Sequence, residues 1–283
     1  MITSTEFDDL PELQYEKRLV LFIDILGFSN LVSESSSNQI KLQKIRRILK
    51  VLERELHRDK EFQESHEIFT RKLRGSFPLS VEANDKHYVN PSKIEYTQFS
   101  DNIIISSPYI NAQSLVSLIS NISLLQARFL QEGILFRGGI AYGDMYHKEN
   151  LCFGPAFNRA YFLESKVAEY PRIVIDTDIM NGQAQPTNWS NQEKFEFKVL
   201  IQDTMNYSNP FTLKQKDNYD NDVHYINFML LQTFKSAETK ILEIFSTQKK
   251  DLNRNHDGEE SIYLKLDWLT STIEKHMRSF EDS

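Results

Sequence analysis

Residues 19–32, LVLFIDILGFSNLV, constrain this chain more than any other stretch. Leu19 to Ile23 form a short, branched and closely bounded apolar run, which reads as a buried strand. The run carries a carboxylate, Asp24, where it breaks, and a charge in that place costs free energy unless something pairs with it. Gly27 then lets the backbone turn tightly, and Phe28 opens a pattern that suits a helix. Two readings follow from the segment. Asp24 either holds a metal or a phosphate-bound cation, or it caps the next helix or meets a buried arginine.

The rest of the chain supplies the partners of that strand. Residues 1–17 read as a polar lead-in. Residues 38–58 place Ile40, Ile45, Ile48, Leu49, Leu52 and Leu56 near helical spacing. Residues 59–93 lose the periodicity and read as an insertion. Two extended runs, Ile94 to Phe99 and Asn102 to Ser106, flank Ser100 and Asp101 and predict a hairpin. A helix is predicted over 112–131, ended by Gly133, then a strand over 134–143. A further helix over 155–168 and a short buried strand, PRIVID at 171–176, complete the series. Strand, helix, strand, strand, helix, strand is the split βαβ order, an α+β fold of ferredoxin-like type with helices on one face of an antiparallel sheet. Helices at about 222–248 and 259–280 make 201–283 a mainly helical C-terminal extension to a domain at 18–200.

Composition narrows the function classes. A formal net charge of −7 argues against broad nucleic-acid binding, which needs a basic surface. One cysteine, Cys152, excludes an internal disulfide and fits a reducing cytoplasm, so the Asn-x-Ser sequons at Asn121, Asn188 and Asn206 carry no weight. No apolar run approaches the roughly 20 residues of a membrane span, and the acidic N-terminus does not read as a signal peptide. The expectation is a cytoplasmic protein with no membrane and no nucleic-acid partner. The stretch 251–260 imitates a calcium loop but has His256 where the turn needs Gly and Ile262 where the bidentate Glu belongs.

A second carboxylate gives the first one meaning. In a split βαβ sheet the first strand and the hairpin are neighbours, so Asp24 and Asp101 can converge at one sheet edge. Two carboxylates plus the Ile25 carbonyl suit a pair of hard divalent cations. The turn amides of Leu26, Gly27 and Phe28, ahead of a helix N-terminus, suit phosphates.

These residues resemble the class III nucleotide cyclases. FIDILGFSNLV is similar to their first metal motif, and QFSDNIII to their second, with Ser100 where Gly is usual. FGPAFNRAYFLES, 153–165, is similar to their helix motif, with Gly154, Asn158, Ala160, Glu164 and Ser165 at matching spacing. The resemblance covers about residues 18–200. It implies that Asp24, Ile25 and Asp101 bind two divalent cations (Mn or Mg), and that the chain works as a homodimer with composite active sites. Asn158 of one chain would then serve the metal residues of the other, in attack of a ribose 3′-hydroxyl on the α-phosphorus of a nucleoside triphosphate.

Three positions depart from that pattern. Phe162 stands where the family has its transition-state Arg, with Arg159 the nearest cation but turned about 100° round the helix. Thr97 and Leu151 stand at the two base-reading positions, where purine cyclases carry a charged or polar code. Among cyclases, RGGIAYGD, GPAFNRAY and YPRIVID make the chain similar to the bacterial anti-phage pyrimidine cyclases of the Pycsar type. That resemblance implies cyclic UMP or cyclic CMP synthesis, read by a separate effector protein. Arg137 either reaches the nucleotide or closes a sheet edge. Lys166 and Arg172 are candidates for triphosphate charge or plain surface cations. A catalytically silent nucleotide- or partner-binding module, and a purine cyclase with an atypical pocket, are the alternatives.

Overall fold

The computed structural model describes residues 13–56, 94–202, 212–217, 220–229, 232–252 and 259–281. The expected insertion at 59–93, the lead-in up to residue 12, Asn206 and most of the loop at 251–260 lie outside the described residues.

Strand β1 (Glu16–Ile25) leads through Gly27 into helices α1 (Phe28–Ser35) and α2 (Gln39–Leu56). The hairpin strands β2 (Glu95–Phe99) and β3 (Asn102–Pro108) precede helix α3 (Ala112–Gln131) and the long strand β4 (Phe136–Lys148). β5 (Leu151–Phe153), α4 (Pro155–Phe162) and β6 (Ile173–Ile175) follow, then the short helices α5 (Thr177–Met180) and α6 (Asn191–Phe197). The chain closes with β7 (Thr212–Lys216), β8 (Asp222–Ile226), α7 (Gln232–Lys235), α8 (Glu238–Lys250) and α9 (Glu259–Glu281). The sheet order is β2-β3-β1-β4-β6-β8-β7, with β5 on β4. Its first four strands are antiparallel neighbours in the order that a split βαβ unit requires. No described helix is long and apolar enough to cross a membrane.

The alternation along β1 explains the layers. Leu19, Leu21, Ile23 and Ile25 point into a core shared with α2 and α3, including Leu52, Leu115, Ile119 and Phe129. Val20 and Phe22 point the other way, against Ala156, Ala160 and Leu163 of α4 and the turn after it. By the same period Asp24 belongs to the α4 face. Helices were expected on one face only; α4 covers part of the second, because Val20, Phe22 and Ile104 are as apolar as the residues behind them.

Three further differences have local causes. The helix expected over 155–168 is α-helical to Phe162 and then widens to a π turn over Leu163–Val167. β4 runs past the expected residue 143 to Lys148, since Glu16 to Arg18 pair with Gly143 to Met145. Residues 222–226, expected as helix, form β8. β6 runs parallel to β4 and leaves an open edge, and β8 pairs with that edge while β7 pairs with β8. Helices α8 and α9 pack through Ile241, Phe245, Leu266 and Leu269 against Ala127 and Leu130 of α3.

Candidate active site

The site begins where β1 ends. Asp24 lies opposite Asn102 of β3 on one side and Arg137 of β4 on the other. Gly27 then takes φ 80°, a left-handed conformation that a side chain would strain, and starts α1 with no side-chain cap. In the hairpin turn Ser100 takes φ 58°, also left-handed, in the position where the resembling motif has glycine. That turn brings Asp101 beside Asp24, close enough for its charge and a hydrogen bond between the two carboxyls to raise the Asp24 pKa. The two predicted carboxylates are thus brought together.

A third carboxylate arrives from α4. Gly139 on β4 has no Cβ, and one built there would lie 2.4 Å from the Ala160 carbonyl oxygen and 2.5 Å from Leu163 Cβ. The bare backbone lets the π turn settle on the strand and carries buried Glu164 to Arg137, whose Nε lies 2.5 Å from Glu164 Oε1 and 3.8 Å from Asp24 Oδ2. Arg137 therefore sits in the floor of the site between two carboxylates. Burial, then the charges of Glu164 and Asp101, push the Asp24 carboxyl up to about 7, with Arg137 pulling it back. Lys265 of α9 stands close enough to feel Arg137 and Asp24; burial and Arg137 lower its pKa. Glu164 was visible only as a motif position, and Lys265 had no sequence signal, because both act through contacts that local pattern does not encode.

The other candidates divide. Asn158 is exposed on the first turns of α4; Gly154 occupies the N-cap, so Asn158 is not a helix cap. Arg159 is committed elsewhere: its Nε and Nη2 bind both Asp176 oxygens at 2.7 and 2.8 Å, and its guanidinium lies over the Phe162 ring. The Leu26 amide donates to the Leu135 carbonyl at 2.9 Å, which leaves Gly27 and Phe28 at the start of α1. Arg172 is buried against Tyr170, Tyr225 and Trp268 and bonds Gln215, so it clamps α9 to the sheet and does not face a triphosphate. Lys166 is exposed.

Beside the carboxylates a cleft of about 740 Å³ opens between the hairpin and α4, lined by Phe22, Thr97, Asn102, Cys152, Phe157 and Tyr161 among others. Phe22 meets the Phe157 and Tyr161 rings edge-on at 5.8 and 5.3 Å. Thr97 is buried at the cleft wall, while Leu151 is 53% exposed. Among the described residues no group of three or more His, Cys, Asp or Glu side chains stands as a preformed metal cage. The donor set nonetheless fits hard cations, because two adjoining carboxylates with a third nearby concentrate negative charge that a divalent ion relieves.

No model of a known family and no curated protein matches the sequence. Among solved structures, the chain is similar to the adenylyl cyclase CyaB from P. aeruginosa (14% identity, 76% of this chain and 96% of that one, TM-score 0.39). It is similar to a bacterial light-regulated adenylyl cyclase (14%, 79% and 99%, TM-score 0.38). It is also similar to an adenylate/guanylate cyclase/hydrolase from Silicibacter pomeroyi (13%, 76% and 98%, TM-score 0.37). At such identities and TM-scores nothing about this chain's chemistry follows from the likeness.

Proposed function

We propose that the chain is a class III nucleotide cyclase that converts UTP, or CTP, to the 3′,5′-cyclic monophosphate and pyrophosphate as a homodimer. The observation that carries this reading is the Asp24–Asp101 pair, held side by side at the open end of β1 with the Asp24 carboxyl pushed up to about 7. Two divalent cations, manganese or magnesium, would be held by these carboxylates and the Ile25 carbonyl, and would supply positive charge for the triphosphate and the attacking oxygen. Arg137 and Glu164 orient Asp24 from below. The Gly27 and Phe28 amides, at the N-terminus of α1, face the phosphates. The ribose 3′-oxygen bonds to the α-phosphorus, the bond from that phosphorus to the pyrophosphate oxygen breaks, and the hydroxyl proton passes to water.

The dimer places Asn158 of one copy over the carboxylates of the other, where its amide orients the ribose. Supporting this are exposed apolar side chains on the hairpin, β5 and α4: Phe99 (76%), Leu151 (53%), Tyr161 (52%) and Phe162 (46%). Thr97, in the wall of the cleft, and Leu151 lack the charges of a purine code, and on this reading the cleft takes a pyrimidine. The anti-phage setting and a separate cyclic-nucleotide effector rest on the resemblance in sequence alone.

One observation favours a second reading, a silent nucleotide-binding module. Phe162 replaces the expected Arg, and Arg159 is tied to Asp176. Equimolar ATP, GTP, CTP and UTP with manganese, read by mass spectrometry, decide between them. A dominant cyclic pyrimidine product is expected. A dominant cyclic purine removes the pyrimidine assignment, and no cyclic product removes the enzyme.

A further inference from the structure

Helix α9 belongs to the C-terminal extension, yet it brings a cation to the carboxylates. Its Trp268 packs against the apolar cluster that holds Val20, Phe22, Ala160 and Leu163, on the face of the sheet to which Asp24 belongs. The indole stacks on Tyr170 at 5.3 Å with an interplanar angle of 9°, and its Nε1 donates to Gln215, which also accepts from Arg172. The Arg172 carbonyl accepts from the Gly138 amide at 3.1 Å, so this clamp ends one residue from Arg137. Arg137 pairs across the strands with Asp24, and cross-strand partners share a face. Lys265 lies three residues before Trp268, on the same side of α9. One turn beyond the clamp it comes close enough to Arg137 and Asp24 for both charges to act on it.

This lysine has no partner of its own. It is half-buried, and among the described residues it forms no hydrogen bond and no ion pair. The other cations around the carboxylates are committed. Arg137 pairs with Glu164, Arg159 pairs with Asp176, and Arg172 is enclosed by three aromatic rings. Helix α4 therefore brings no uncommitted cation, since Phe162 is a neutral ring. Burial, then the Arg137 charge, works against the Lys265 ammonium, while Asp24 and Glu169 favour it. A half-dehydrated cation held beside a second cation costs free energy until an anion arrives. On the cyclase reading Asp24 is taken up by divalent ions, so the anion that answers Lys265 comes with the substrate.

Resting on that reading, we propose that Lys265 is a further catalytic residue, supplied by the C-terminal extension, that contacts the β- and γ-phosphates of the nucleotide. There it neutralises the charge that passes to pyrophosphate when its bond to the α-phosphorus breaks. Asn158 of the second copy orients the ribose end, so the phosphate tail falls to the chain that carries Asp24. Lys265 belongs to that same chain.

Binding of triphosphates that cannot cyclise tests this apart from turnover. The 3′-deoxy forms of ATP, GTP, CTP and UTP are titrated by calorimetry with manganese, and the one that binds wild type most tightly is carried to the variants. Lys265→Met should weaken it about tenfold or more, and Lys265→Arg should bring it back to within about threefold of wild type. Without nucleotide, Lys265→Met should melt no lower than wild type, because the cation it removes has no partner. A lysine that merely braces α9 would instead lower the melting temperature and leave the dissociation constant of the folded protein unmoved. Unchanged binding in Lys265→Met overturns the inference, as does a loss that Lys265→Arg shares in full. Cyclisation of the four parent triphosphates by wild type, assayed in parallel, separates the two readings. Product alongside unchanged Lys265→Met binding sinks only the lysine, Lys265-dependent binding without product sinks only the cyclase, and no triphosphate binding sinks both.

Discussion

Replacing Asp24 by Asn should make the metal-free protein more stable at neutral and alkaline pH while abolishing the proposed cyclase activity. The carboxyl is raised from 3.8 to about 7, by burial first and then by Glu164 and Asp101. The native state therefore holds this proton more tightly than the unfolded chain does, and native stability falls as pH rises from about 4 to 7. At 1.36 kcal/mol per pH unit, the ionised group costs about 4 kcal/mol at most. Its side chain is 26% exposed and Arg137 stands 3.8 Å away, so solvent screening leaves about 1–2 kcal/mol. The amide is isosteric and uncharged, and it removes that cost. Urea unfolding at pH 5 and pH 8, with chelator and at one protomer concentration, measures it. Asp24→Asn should exceed wild type by about 1–2 kcal/mol at pH 8, with the advantage shrinking at pH 5. Added manganese should stabilise wild type at pH 8 and act weakly on the variant. His147 contributes a slope of opposite sign in both proteins, so it cancels in their difference. A variant no more stable than wild type at pH 8, or one with the same pH slope, would refute the charge argument.

Three other outcomes follow. Asp24→Ala and Asn158→Ala should each be inactive, and mixing them after subunit exchange should restore one intact site per heterodimer; exchange without recovered activity counts against the composite site. Gly139→Ala should cost about 2 kcal/mol, since the new Cβ meets backbone 2.4 Å away, and a melting temperature within about a degree of wild type would deny the close approach. In a proton NMR titration the His147 ring should stay neutral to about pH 5, with a midpoint near 4; because the unfolded chain protonates first, this group withdraws stability as pH falls from about 6.5 to 4. A midpoint near 6.5 would contradict its burial.

Local pattern was enough for much of the fold. Helix α3 runs from Ala112 to Gln131 as its spacing predicts, because an Asn111–Ser114 capping box starts it and Gly133 at φ 70° ends it. β1, its carboxylate and the hairpin turn were legible for the same reason: an apolar run, a charge and a glycine are signals carried by neighbours in sequence. Even the pairing of Asp24 with Asp101 followed from element order, since a split βαβ sheet leaves few places for the hairpin.

What local pattern cannot carry is which distant groups share a space. β8 reads as helix in isolation and is a strand because β6 offers an unpaired edge. Arg159 reads as a free cation beside Asn158 and is bound by Asp176, which the fold returns to the same face. Arg172 reads as a surface charge and is enclosed by three aromatic rings from three segments. The charge state of Asp24 needs Glu164, and the neutral ring of His147 needs burial beside Arg18. Periodicity fixes which face a side chain takes, whereas its proton and its partner depend on burial and on contacts between residues far apart in the chain, and those exist only once the sheet has closed.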